Sequence, residues 1–147
     1  MAQQKKKVLY ASPFWPQKSG ISEYSMKLVA ALQEHYDISL LLGDSKLKYE
    51  GLENFKKVVY KKGKSYERDF DVILYNFGNQ PDFHGYMYRA LRDNPGTVIL
   101  HDFSLFYLTV GVAMEDGREL QKIVELTGRA GLEMVRDSYR NKKGNIL

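Results

Sequence analysis

Four short apolar runs limit what this chain can fold into. They read KVLYAS at 7–12, DISLLL at 37–42, DVILY at 71–75 and TVIL at 97–100. Each is too short for a buried helix and is bounded by turn formers, the pattern of a strand covered on both faces. KVVY at 57–60 is a further candidate strand in basic surroundings. Helical spacing fills the gaps. Ile21, Tyr24, Leu28, Ala31 and Leu32 recur on one helix face, with Ser19 or Ser22 as a cap and an end near His35. Residues 84–92 read as a second helix with Tyr88 and Leu91 inward. A third covers 118–139, with Leu120, Ile123, Val124, Leu132 and Val135 on one side, weakened by Gly128 and Gly131. Strands alternating with helices predict an α/β fold, a parallel sheet with helices on both faces.

A length of 147 residues suits one domain, and 44% hydrophobic residues suffice for a core. The first six residues are polar and are expected to be a disordered start, with the domain over 7–147. The absence of cysteine excludes disulfides and thiolate chemistry. The histidines are His35, His84 and His101, too few for a histidine-rich metal site, and no metal is expected. His35 ends a helix and reads as a surface residue. Pro13 and Pro16 break the first apolar stretch, so neither a signal segment nor a membrane span is legible there. The expected location is the cytoplasm.

Residues 46–68 hold eight cationic side chains against three acidic ones. A solvated surface explains such a segment, and so does contact with an anionic membrane at its inner face. Nucleic acid is not expected. The segment carries no recognition motif, and Tyr49, Tyr60 and Tyr66 alone do not make a stacking platform.

Parallel sheets bind ligands beyond the carboxyl ends of their strands, so the loops there matter most. Three of them are unusual and should open on one edge. The first, SPFWPQKSG at 12–20, runs into a helix, where Gly20 lets a ligand approach unpaired N–H groups. Strand–turn–helix geometry also explains this glycine. Neither GxGxxG nor GxxxxGK[ST] is present. The second loop crowds Asn79, Gln80, Asp82 and His84 after an apolar strand, although turn chemistry accounts for Asn79 and Asp82. The third places His101 and Asp102 directly after TVIL. A histidine there can act as a base or position a group, with Asp102 orienting it; the plainer alternative is that Asp102 caps a helix starting near Phe103.

Three blocks in this order, PFWPQKSGISEYSMKLVAAL, DVILYNFGNQPDFHGYMYRAL and PGTVILHD, resemble one family. They are similar to the N-terminal domain of family-four retaining glycosyltransferases of the GT-B fold, over about residues 7–140. The resemblance implies a Rossmann-like domain that is one half of a two-domain enzyme. It implies sugar transfer from a nucleotide-sugar to a glycan or lipid-linked acceptor, with the nucleotide-sugar as substrate and no cofactor. In the family the first glycine-containing loop approaches donor phosphates and acceptor, and that role falls on Ser19, Gly20 and Ile21. The histidine after the TVIL-type strand lies by the reacting sugar, which implies His101, with Asp102 beside it. Asn79 and His84 match a more variable binding loop. The donor site of the family lies mostly in a C-terminal domain with basic residues and an E-x7-E motif. That domain is the expected missing partner, and without it the chain is expected to be inactive. Glu125 and Glu133 have the E-x7-E spacing, but they follow the N-terminal blocks directly and are excluded from the site. The competing expectation is a stand-alone, non-catalytic α/β module that binds a phosphorylated or glycan ligand.

Overall fold

The computed structural model describes residues 4–44 and 46–141. The elements in chain order are β1 (Lys7–Ala11), α1 (Gly20–Leu32), β2 (Asp37–Leu42), β3 (Lys56–Val59), β4 (Val72–Phe77), α2 (Pro81–Asp93), β5 (Thr97–Leu100), α3 (Phe106–Glu115) and α4 (Glu119–Asn141). The five strands form one all-parallel sheet in the order β3-β2-β1-β4-β5. The chain leaves β1 toward β2 and later returns to the other side of β1 as β4. Right-handed crossovers in opposite directions place α1 and α2 on opposite faces. The fold is therefore α/β and Rossmann-like, with helices on both faces.

Alternation along the strands divides the core. Val8, Tyr10, Ile38, Leu40 and Leu42 pack with Phe14, Val29 and Leu52 on the α1 face. Leu9, Ala11, Leu41, Ile73, Tyr75 and Phe77 pack with Met87, Ala90, Leu108 and Val112 on the α2 face. The link from β3 to β4 is held by Asn94, at the end of α2. Its Oδ1 accepts from the Tyr66 N–H at 2.6 Å and its Nδ2 donates to the Lys64 carbonyl at 2.9 Å.

The structure corrects four expectations. The TVIL strand is not buried. Val98 and Leu100 remain 36% and 56% exposed, because α3 packs on α2 and α4 packs on α3 rather than over β5. The loop after β4 is shorter than expected, since Asn76 and Phe77 continue the strand and α2 begins at Pro81, where proline's missing N–H costs nothing. Helix α3 is an additional element. It crosses α2 closely at Gly111, where a Cβ would stand 2.6 Å from Pro81. Asp102 does not cap α3, whose N-cap is Leu105. The last helix, which its glycines weaken, is broken at Gly128 (φ 65°, ψ −156°).

At the amino terminus, the Lys6 carbonyl accepts from the Asp37 N–H, while residues 1–3 of the expected disordered start lie outside the described residues. Residues 142–147 of the expected domain lie outside them as well. Among the described residues no helix is long and apolar enough to cross a membrane.

Candidate functional site

The sheet order reverses direction between β1 and β4, which opens a crevice at their carboxyl ends. A cleft of ≈ 410 Å³ lies at this edge, open to solvent. Its lining includes Ser19, Gly20 and Ile21 from the start of α1, Asn79 from the β4–α2 connection, His84 from the start of α2, and His101 and Asp102 after β5. All seven residues expected from the sequence therefore share one cleft. Gly78, Gln80 and Tyr107 complete it.

The α1 wall is built by a local cap. Ser19 is extended (φ −120°, ψ 142°), its Oγ accepts from the Ile21 N–H at 3.2 Å, and its carbonyl accepts from the Ser22 N–H at 2.9 Å. Ser22 Oγ donates to the Gln17 carbonyl at 2.7 Å, and buried Phe14 anchors the loop from below. Glu23, the acid in the first turn, pairs with Lys27 at 2.7 Å. A Cβ added at Gly20 would meet nothing within 4 Å. Protein packing therefore does not require glycine there, and the space beside its backbone is open.

The opposite wall is dense. A Cβ at Gly78 would stand 2.7 Å from Ile21 Cδ1, 2.9 Å from His84 Nε2 and 3.2 Å from Asp102 Oδ2. The Gly78 N–H donates to His84 Nδ1 at 3.3 Å, and the Asn79 N–H donates to Asp102 Oδ2 at 2.7 Å. Asn79 Oδ1 accepts from the Leu108 N–H at 3.1 Å, which caps the first turn of α3 from another loop. His84 is 1% exposed. Burial pushes its imidazole down to about 4 despite the opposing pull of Asp102, so it is neutral near pH 7.

His101 continues the sheet ladder through its N–H to the Phe77 carbonyl at 2.9 Å. Its ring meets Tyr24 of α1 edge-on, with centroids 4.9 Å apart and 74° between planes. Its Nε2 lies 2.5 Å from Oδ1 of Asn76. Asn76 is fully buried, and its Nδ2 sits among the hydroxyls of Tyr10, Ser12 and Ser25 at 3.0, 3.3 and 2.9 Å. Burial holds the Tyr10 phenol up at about 12, so it stays protonated and able to donate.

Asn76, Ser12, Ser25 and Tyr24 were not found by sequence reasoning. One signal was available, a lone asparagine inside the apolar run DVILYNF, where a buried polar group needs partners. Ser25 lay on the apolar helix face, one turn after Ile21, and was equally legible.

Among the described residues no Lys or Arg lines the cleft. The lysines of residues 46–68 that the structure describes are exposed and outside it, while Tyr66 is buried and Tyr49 and Tyr60 pack on the core. Among the described residues no three His, Asp or Glu side chains come together to hold a metal ion. Glu125 is exposed and paired with Lys122 at 3.0 Å, away from the cleft. No protein-family model, curated protein or solved structure matches this chain.

Proposed function

We propose that this chain is the acceptor-side half of a GT-B retaining glycosyltransferase, moving sugar from a nucleotide-sugar to a glycan or lipid-linked acceptor. One observation carries the reading: seven residues from three separate segments at the strand ends converge on one open cleft at the switch point of a parallel sheet. The cleft has two chemically different ends. The start of α1 offers backbone N–H groups, a partial positive charge and room beside Gly20, which suits phosphate oxygens. Asp102 and His101 offer hydrogen-bond acceptors, which suit the hydroxyls of a sugar. The reaction builds positive charge at the anomeric carbon while a diphosphate leaves. In a retaining transfer the leaving phosphate can take the acceptor proton, so His101 serves to position groups. Among the described residues the cleft has no Lys or Arg, and neutralising the diphosphate then falls to the second domain across the opening. The exposed apolar side chains of β5 support the same reading, because a parallel strand is stable when covered.

Hydrogen exchange with a panel of nucleotide-sugars tests this proposal. The expected result is protection at residues 19–22 and 99–103, with no sugar transferred by the chain alone. Robust transfer by this chain unaided would refute the half-site reading. Protection confined to residues 46–68 would refute the site.

A further inference from the structure

The buried hydroxyl cluster under His101 determines which of its ring nitrogens can meet a ligand. Five close polar contacts tie the cluster together. The side-chain amide of Asn76 reaches Tyr10 Oη, Ser12 Oγ and Ser25 Oγ, Tyr10 Oη reaches Ser25 Oγ at 3.2 Å, and the two serines face each other. With Nδ2 facing the hydroxyls, its two hydrogens serve two of its three contacts and hydroxyl hydrogens serve both hydroxyl–hydroxyl contacts, so only the longest, to Ser12 at 3.3 Å, lacks a hydrogen of its own. With the amide reversed, Oδ1 would face the hydroxyls and only three hydrogens would remain. Two oxygen pairs would then touch with no hydrogen between them, a costly state in a buried site. The hydrogen count therefore favours this sense of the amide. In that sense Asn76 Oδ1 faces His101, and the ring nitrogen beside it carries the proton.

We propose that Asn76 is a positioning residue that locks His101 in the Nε2–H tautomer, leaving Nδ1 as a hydrogen-bond acceptor at the cleft. The inference rests on the reading of the cleft as a ligand site and deepens it. An acceptor nitrogen beside the Asp102 carboxylate selects a donor, so this end of the cleft takes a hydroxyl-bearing group. A phosphate, which offers acceptors, is directed instead to the Gly20 end. Tyr24 supports the lock from the side by holding the plane of the ring. The carboxamide thus does for His101 what a carbonyl or carboxylate does for other oriented histidines.

Long-range proton–nitrogen correlation spectra of the imidazoles, recorded at pH 8 without ligand, test this directly. The expected wild-type pattern for His101 is a protonated Nε2 and a bare Nδ1. A dominant Nδ1–H form would show the amide reversed and overturn the proposal. Asn76→Ala is expected to release the lock and give a mixture of both tautomers. An unchanged tautomer in a folded Asn76→Ala would also overturn the proposal. Should Asn76→Ala fail to fold, the wild-type spectrum still decides it. None of these readouts depends on sugar transfer, so failure of the proposed activity and failure of the lock are separate results.

Discussion

The two walls of the cleft each carry a glycine, and the two glycines differ in what surrounds them. At Gly78 the protein has used the space, and His84, Ile21 and Asp102 leave no room for a methyl group. At Gly20 the protein leaves the space empty, since a methyl group there would touch nothing. The β4–β5 wall is thus a hydrogen-bonded unit in which His84, Asn79 and Asp102 hold the loops together. The α1 wall is a capped helix start with an open flank. One glycine serves the fold, and the other is free to serve a ligand.

The largest effect expected from this contrast is a pH dependence of the dense wall. His84 takes up a proton near pH 6.5 in the unfolded chain but only near 4 when folded. Between these values the unfolded chain binds a proton that the folded one does not. Stability is complete above pH 6.5 and falls as pH drops toward 4, by up to about 3 kcal/mol. Urea unfolding at pH 7.5 and pH 4.5 measures this, and His84→Gln should flatten the difference. A wild-type protein equally stable at both values would contradict the buried neutral histidine.

Next comes Gly78→Ala, which should cost about 1–3 kcal/mol, because the ring of His84 cannot move aside in its packed position. Thermal unfolding reads it, and a neutral result would mean the wall is softer than its contacts indicate. Asn79→Ala should cost about 1 kcal/mol by uncapping α3. Its mark would be faster amide exchange at Leu108 ahead of the rest of the helix. The smallest effect on the fold belongs to Gly20→Ala, expected within about 0.5 kcal/mol of the wild type. A large loss there would erase the distinction between the two glycines.

Much of this architecture was legible in the sequence because apolar runs and helical spacing report burial directly. The runs at 37–42 and 97–100 coincide with β2 and β5. What they could not report is whether a neighbour exists. TVIL reads as a covered strand, yet it forms an edge with exposed side chains. The opposite edge looks different, since β3 carries exposed Lys56 and Lys57, the kind of charge that discourages further pairing. Helix α3 was hidden for a local reason. Leu105 provides no side-chain cap, and Thr109, Val110, Gly111 and Val112 are poor helix formers, so packing on α2 and α4, the amide of Asn79 and the Arg89–Glu115 pair hold it. The seven cleft residues were found because loops at strand ends are readable as loops. The network beneath them was missed because Ser12, Ser25 and Asn76 reach each other only when three distant segments fold together.

The central claim is that the space beside Gly20 is kept for a phosphorylated ligand. Calorimetric titration of a nucleotide-sugar into the wild type and Gly20→Ala, with both melting temperatures measured in parallel, tests it most directly. The account predicts matching melting temperatures and affinity at least about tenfold weaker in the variant, a difference of about 1.4 kcal/mol. Equal affinity in two equally stable proteins, or no binding by the wild type, would contradict it.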